Sequence, residues 1–132
     1  MEVKHHQHLV EDLGELFLNK EYTDVSMKVG KTEIKAHKII LASRSMYFKA
    51  LFYGGLKETK ENEITLDSET PLQAFEDVLK YIYTGEINLE NKQLNQLQDM
   101  ISLADKYGLV KLIEVIANCL KDSFQEDETD FL

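Results

Sequence analysis

The chain has a single cysteine and no apolar run long enough to span a bilayer. Cys119 is its only thiol, so no internal disulfide can form, as is usual in a reducing compartment. The longest purely apolar runs, such as residues 39–42, fall far short of the roughly 18 to 20 residues that cross a membrane, and no apolar signal segment follows Met1. We therefore expect a soluble cytoplasmic protein, with the nucleus as a second compartment.

Positive charge is also scarce. The 132 residues include 24 acidic and 15 basic side chains, for a net charge of -9. Such a chain repels phosphate backbones and anionic lipid surfaces, so neither nucleic acid nor a membrane is an expected partner. An apolar content of 43% is enough for the core of one domain.

The motifs of common enzyme classes are absent. No serine lies in the G-x-S-x-G elbow that exposes a nucleophile at a strained turn. Gly54 and Gly55 form a lone pair after a predicted helix rather than a phosphate-cradling loop. Cys119 has apolar helical neighbours and no placed histidine base, which favours a core position over a nucleophile. We expect no enzyme activity.

The histidines favour structural interpretations. His5, His6 and His8 lack cysteine or carboxylate companions at ligand spacing, so they are interpreted as a mobile polar N-terminus. His37 stands where a strand passes into a helical segment, without a placed nucleophile beside it. This position favours a histidine bonded to the backbone over a general base. No metal and no cofactor are expected.

Hydrophobic periodicity predicts short strands early in the chain. Apolar and polar residues alternate over residues 25–29 and 32–36. Gly30 and Lys31 between them suit a type II′ hairpin turn, because glycine accepts the positive φ of its first position. A third brief strand carries Ile64 and Leu66.

Helices are predicted around and after these strands. Apolar spacings of three and four predict helices over residues 8–19, 46–53, 93–107 and 109–124, and another from Pro71 to Gly85. Ser45 is the expected N-cap of the second helix, and Thr70 with Gln73 would form a capping box before the helix that starts at Pro71. Residues 38–43 are too short a run to predict a helix. Strands early and helices late indicate an α+β fold with a helical majority.

The chain is predicted to have one folded domain. It extends over residues 9–124, after a flexible N-terminus over residues 1–8. The acidic tail over residues 125–132 is expected to be disordered or cut from something longer.

Asp24 begins a strand that is buried on one face. A carboxylate at such a place must be solvated, hydrogen-bonded or paired. Lys38 is its nearest candidate partner once the hairpin folds back, and an exposed aspartate is the equal alternative.

Several stretches, in this order along the chain, resemble the BTB/POZ domain signature. They are DVSMKV from Asp24, IKAHKIILASRS from Ile34, Tyr47-Phe48, Phe75 with YIYTG from Tyr81, and LADKYG from Leu103. The resemblance extends from about Leu9 to about Phe124. It implies a helical cluster flanked by a short, mainly antiparallel three-stranded sheet that serves protein-protein interaction.

The resemblance also implies a homodimer, because the first helix of the family usually packs against its twin across a two-fold axis. Here that helix would present an apolar stripe that a small domain should not leave in water, formed by Leu9, Leu13, Leu16 and Phe17. The alternative is that the stripe packs on its own core. Residues 1–4 match poorly with the extra strand that some family members exchange. The family analogy makes Asp24 and Lys38 a paired charge in a buried pocket near this interface.

Family members that recruit cullin-3 into ubiquitin ligases carry a hydrophobic-x-Glu signature after the helix that ends here near Phe52. This chain has Leu56 and Glu58 at that place. An exposed leucine can fill an apolar pocket while the carboxylate fixes the register. Phe52, Tyr53 and Tyr107 are expected to flank this contact, and substrate would be captured by a region outside the chain. The alternative is an ordinary loop with Leu56 folded onto the core.

A second function remains open from the resemblance. The domain could be the self-association and co-repressor-binding part of a transcription regulator, whose dimer groove holds a peptide. That function needs a DNA-binding region elsewhere, and these residues do not supply one.

Overall fold

Three short strands form the sheet of this computed structural model, which describes residues 1–55 and 62–130, and side chains as far as residue 122. The strands are β1 (Val25–Val29), β2 (Thr32–Ala36) and β3 (Glu63–Leu66), in the order β2-β1-β3. β1 is antiparallel to β2 and parallel to β3. The sheet is therefore mixed, with one antiparallel and one parallel pairing, and the predicted α+β class with three strands is confirmed.

The first two strands form the predicted hairpin. Val25 pairs with Ala36 and Val29 with Thr32. Gly30 has a φ of +59°, and Lys31 is not among the residues with positive φ, as the first and second positions of a type II′ turn require. Val25, Met27 and Val29 are buried on one face, in agreement with the alternation of apolar and polar residues in the sequence.

Six helices occur in the described residues. They are α1 (His6–Asn19), α2 (Lys38–Arg44), α3 (Met46–Tyr53), α4 (Leu72–Thr84), α5 (Leu94–Lys106) and α6 (Val110–Asp130). Five were predicted, with bounds that differ mainly at the two chain ends, whereas α2 was not predicted because its seven residues are too few for a clear apolar period. None of these helices is both long and apolar enough to cross a membrane.

The last helix continues through residues that were expected to form a disordered tail. α6 ends at Asp130 rather than at Phe124. The physical reason is that neither proline nor glycine follows Gly108, so no residue in this stretch interrupts helical hydrogen bonding. α1 likewise begins at His6, inside the segment predicted to be flexible. The domain limits at residues 9 and 124 remain predictions.

α4 begins without the predicted capping box. Pro71 is its N-cap, and no side chain caps the first turn. The Thr70 N–H donates to the Asp67 carbonyl at 3.0 Å, because residues 67–70 form a turn of their own. Gln73 donates instead along the helix to the Asp77 carboxylate at 3.1 Å. The helix ends as predicted at Gly85, which has a φ of +76°.

α4 lies at the centre of the core. Phe75, Val78, Leu79 and Ile82 on one of its faces are completely buried, and α1, α2 and α5 all pack against the helix. The remaining core is supplied by the inner face of the sheet, the aromatic rings of α3, the ring of Tyr107 after α5, and apolar side chains of α5 and α6. Burial of one such side chain contributes about 1.5 to 3 kcal/mol, so this helix holds the other elements together.

Ser45 connects the start of α3 to the end of α5. Its hydroxyl accepts from the Phe48 N–H at 3.3 Å, which confirms it as the N-cap. It also donates to the Tyr107 carbonyl at 2.7 Å. The side chain is buried, so both bonds form away from water.

Replacement of Ser45 with alanine is expected to lower the free energy of unfolding by about 1 to 3 kcal/mol, because the Phe48 N–H and the Tyr107 carbonyl would both lose a buried partner. Urea unfolding followed by circular dichroism measures the change. Ser43→Ala is the matched control, since the exposed Ser43 hydroxyl donates to the Ile40 carbonyl within its own helix. Equal effects of the two substitutions would contradict the role assigned to Ser45.

Candidate protein-interaction site

α3 presents two faces of different character. Phe48 and Phe52 point into the core, where their rings stack with centroids 5.7 Å apart. Met46, Lys49 and Tyr53, at helical spacings of three and four, lie on the outer face and are exposed. The helix thus combines a rigid inner attachment with a free outer surface, as a binding site on a scaffold requires.

The five residues predicted to contact cullin-3 occupy different places. Leu56 and Glu58 lie outside the described residues, which resume at Asn62. Tyr53 is 56% exposed at the last turn of α3. Phe52 and Tyr107 are buried core residues, so they offer no surface to a partner and instead support α3 from behind.

Tyr107 is a core residue with an unusual hydroxyl. Its ring lies 4.8 Å from that of Phe48 and 5.3 Å from that of Tyr47. The hydroxyl is buried and has no hydrogen-bond partner among the described residues. Burial, with a smaller effect from Tyr47, raises the pKa of Tyr107 well above its ordinary value. No sequence pattern indicated this buried position.

The predicted dimer stripe lies on α1 and is only partly covered. Leu9 is exposed, and Leu13, Leu16 and Phe17 are half-buried. No side chain of α1 is fully buried, although Phe17 packs on Tyr83 with ring centroids 5.2 Å apart. The helix therefore uses one side to contact α4 and leaves its flank at Leu9 free.

Asp24 and Lys38 interact differently from the predicted charge pair. The Asp24 carboxylate is exposed and accepts from the backbone N–H of Lys38 at 2.8 Å. The Lys38 ammonium donates instead to Asn62 at 3.2 Å. Because Lys38 is the first residue of α2, the carboxylate satisfies one of the free N–H groups at the start of that helix. The expectation of a buried ion pair was wrong for this chain.

His37 is structural, as predicted. Its Nε2 bonds the Glu21 carbonyl, and its Nδ1 bonds the Tyr83 hydroxyl at 2.6 Å. The His37 backbone N–H donates to the same hydroxyl at 3.0 Å. Because the Glu21 carbonyl can only accept, Nε2 carries the imidazole proton, and Nδ1 of this tautomer accepts from the Tyr83 hydroxyl. The network ties the end of β2 to α4 and to the loop after α1.

The remaining chemical candidates do not assemble into a site. In the part of the chain that the structure describes, no three histidine, cysteine, aspartate or glutamate side chains are grouped to hold a metal ion. His5, His6 and His8 are exposed on the first residues. Cys119 is half-buried and packs against the core.

Sequence reasoning missed an open groove between α2 and α3. It has a volume of about 580 Å³, within the usual size range of ligand pockets. We call it the α2–α3 groove, and its lining residues are Ile39, Ala42, Ser43, Arg44, Ser45, Met46, Lys49 and Tyr53. The available signal was the repeated placement of large side chains on the outer faces of two successive helices.

Comparisons with known proteins agree on one family. Residues 13–124 match the family model described as the BTB/POZ domain. The chain is 45% identical over 112 residues to human BTB/POZ domain-containing protein 9, which covers 84% of the chain and 18% of that relative. It is 41% identical over 110 residues to the Drosophila melanogaster protein of the same name, which covers 83% of the chain and 15% of that relative.

Other relatives and solved structures extend the agreement. TD and POZ domain-containing protein 3 of Mus musculus is 41% identical over 105 residues, which covers 79% of the chain and 28% of that protein. The BTB domain of zebrafish PATZ1 superimposes with a TM-score of 0.72 at 25% identity, over 92% of this chain and 98% of that one. The chain spans less than a third of the length of each of these curated relatives.

High pH is expected to destabilise the protein through Tyr83. Burial raises the pKa of Tyr83 to about 12, above its ordinary value of 10.0. Below pH 10 both the folded and the unfolded chain keep this proton, and between pH 10 and 12 only the folded chain does. The free energy of unfolding should therefore fall over this interval, by up to about 3 kcal/mol from this group. Urea unfolding at a series of pH values measures the decrease.

Two phenylalanine variants identify the group. Tyr83→Phe should cost about 1 to 3 kcal/mol near neutral pH, since the backbone N–H and the Nδ1 of His37 would both lose the Tyr83 hydroxyl, and it should reduce the alkaline decrease. Tyr81→Phe, on the half-buried tyrosine of the same helix, should keep the full decrease. An unchanged alkaline slope in Tyr83→Phe would contradict the assignment.

Proposed function

The chain belongs to the BTB/POZ family of protein-interaction domains, and we propose from this membership that it homodimerises and binds cullin-3. It would then act as the adaptor part of a ubiquitin ligase, with the substrate captured by a region outside this chain. The role is one of binding rather than catalysis.

One observation carries the cullin-3 proposal. The hydrophobic-x-Glu sequence of Leu56 and Glu58 follows α3 directly, and the exposed Tyr53 ends that helix. An apolar anchor next to an aromatic side chain and a carboxylate is the composition of an interface hot spot with a polar rim. The buried Phe52 behind Tyr53 supports the helix in this orientation.

The free flank of α1 supports the dimer proposal. Leu9 is 59% exposed, and Leu13 and Leu16 beside it are half-buried. A two-fold interface would bring this flank against its own copy, so each leucine would be covered by the same surface of the partner. The partner copy would thus cover the apolar flank of α1 that α4 leaves in water.

Capture of cullin-3 is expected to depend on Leu56 and Glu58. In a pull-down with the cullin-3 N-terminal region, the double variant Leu56→Asp and Glu58→Lys should lose at least about tenfold in captured cullin relative to the wild type, because both the anchor and the charge are reversed. Tyr53→Asp should weaken capture to a smaller degree.

A control variant tests whether an acid added elsewhere on the surface also weakens capture. Leu94→Asp introduces an acid at an exposed leucine of α5 and should capture cullin-3 as the wild type does. Equal capture by the wild type and the double variant would refute the assigned site. Absence of capture by the wild type would refute the cullin-3 function.

Dimerisation is expected to depend on one side of α1. Leu9→Asp combined with Leu16→Asp should convert a dimer at micromolar concentration into a monomer, because an acid on this flank would be buried without a partner. Sedimentation velocity or light scattering gives the mass directly.

Leu18→Asp is the matched control for the dimer. Leu18 is on the same helix and 72% exposed, and it lies on the side opposite Leu9, because their separation corresponds to about two and a half turns. This variant should remain dimeric. A monomeric wild type, or an equal loss in both variants, would contradict the interface.

A further inference from the structure

Two adjoining cavities lie between α4 and the residues that lead into α5. The outer cavity has a volume of about 420 Å³ and the inner one about 70 Å³. Asp77 and Lys92 line both cavities and stand at the boundary between them. We call the joint surface the α4–α5 groove.

The side chain of Lys92 already occupies the middle of this groove. Its ammonium lies 3.3 Å from one oxygen of the Asp77 carboxylate, and the other oxygen accepts from Gln73 at 3.1 Å. The two charged side chains are 22% and 26% exposed, so this is the least exposed of the three ion pairs among the described residues. The chain itself thus holds a basic side chain with an aliphatic stem at this place.

The inner cavity combines an apolar lining with carboxylates. Pro71, Ala74 and Met100 supply the apolar part, and Asp77 and Asp99 supply the acids. An arginine side chain has the same combination of an apolar stem and a cationic head, and its planar guanidinium can donate two parallel bonds to one carboxylate. The lining therefore suits an arginine better than the ammonium of a lysine.

Lys92 can leave Asp77 without a change in the fold. The backbone beside it is fixed, because the Gln93 N–H donates to the Gln96 side chain at 2.7 Å at the start of α5. Only the side chain of Lys92 has to rotate, and an ion pair between partly exposed groups contributes little to stability. An incoming guanidinium would replace one cation with another at Asp77, so no unpaired charge would be buried.

The charge of the groove favours a basic occupant. Its acidic lining residues outnumber the basic ones, Lys80 and Lys92; the acids are Asp77, Glu86, Glu90 and Asp99. The net charge of -9 on the whole chain would also attract a basic segment from a distance. An acidic segment would be repelled by both.

We propose that the α4–α5 groove binds a basic segment of a protein partner, with one arginine that replaces Lys92 on Asp77. Lys92 is then an internal competitor, which a segment must displace before it binds. The site is formed by α4 and α5, whereas the proposed dimer and cullin-3 contacts use α1 and α3, so it does not rest on the proposed function.

Labelled peptides test the groove directly. The probe is a fluorescein-labelled synthetic peptide in which arginine and alanine alternate, and its two controls carry lysine or glutamate in place of arginine. Fluorescence anisotropy at about 0.15 M salt should show the arginine peptide binding at least about threefold more tightly than the lysine peptide. The glutamate peptide should not bind. Equal affinities of the arginine and lysine peptides would overturn the arginine site.

Asp77→Asn should weaken the arginine peptide by about tenfold or more, because the carboxylate that receives the guanidinium is lost. Asp105→Asn is the matched control, since it removes the same charge at an exposed position near the other end of α5, and it should change the affinity by less than about twofold. Equal effects of the two substitutions would show attraction by net charge alone and would overturn the proposal.

Removal of the internal competitor should strengthen binding. Lys92→Ala should raise the affinity for the arginine peptide about three- to fivefold, because the groove is then unoccupied before the peptide arrives. Lys111→Ala removes the same charge at an exposed position of α6 outside the groove and should leave the affinity nearly unchanged. A gain in affinity cannot result from a failure to fold, so this variant decides the proposal even where Asp77→Asn is unstable. Equal gains in the two lysine variants would contradict displacement.

The concentration of the chain identifies a different occupant. The measured affinity for the arginine peptide should be the same at all chain concentrations. An affinity that falls as the concentration rises would place a second copy of the chain in the groove and would overturn the proposal. Loss of cullin-3 capture would refute the proposed function without any effect on these results.

Discussion

Burial of one face of α4 is the constraint on which the other elements depend. Four of its side chains, Phe75, Val78, Leu79 and Ile82, are removed completely from water, and α1, α2 and α5 are held by contact with this helix. α4 also supplies polar attachments at its last turns. The Ile82 carbonyl accepts from Arg44 at 3.0 Å, and the Tyr83 hydroxyl accepts from the His37 backbone. Apolar packing against α4 thus fixes the position of His37 and α2, and the hydrogen bonds fix their orientation.

α3 is held in the fold by its inner face, so its outer face is not needed for stability. The ring of Phe48 stacks on Tyr107 and on Phe52, and the start of the helix is capped by Ser45. The outer residues can therefore change without loss of the core, which is the usual condition for a surface that selects partners. Family membership accounts for the scaffold.

Periodicity in the sequence was sufficient for the elements but not for their partners. The apolar spacing of α4 and the alternation in β1 and β2 were read correctly, because each depends on neighbours within a few residues. The parallel pairing of β3 was missed, since no local pattern says which strand edge it will join. The Asp24 interaction was also missed. A backbone N–H can bind a carboxylate as well as a lysine ammonium can, and the sequence does not indicate which backbone N–H is available. The burial of two residues was not predicted either. The resemblance indicated Phe52 and Tyr107 as neighbours of the site, but not that both lie beneath the surface.

The mixed pairing of the sheet has a consequence for the order in which the molecule is assembled. β1 and β2 are joined by a two-residue turn, so their pairing closes a very short loop. β3 pairs with β1 only after α2, α3 and the segment carrying Leu56 have been passed, as in the contact of Met27 with Ile64. Closure of the longer loop has the larger entropic cost, so the hairpin is the natural early structure and β3 the late one. The connection between α3 and β3, which carries the proposed cullin-3 anchor, is therefore the one whose two ends are brought to fixed positions last.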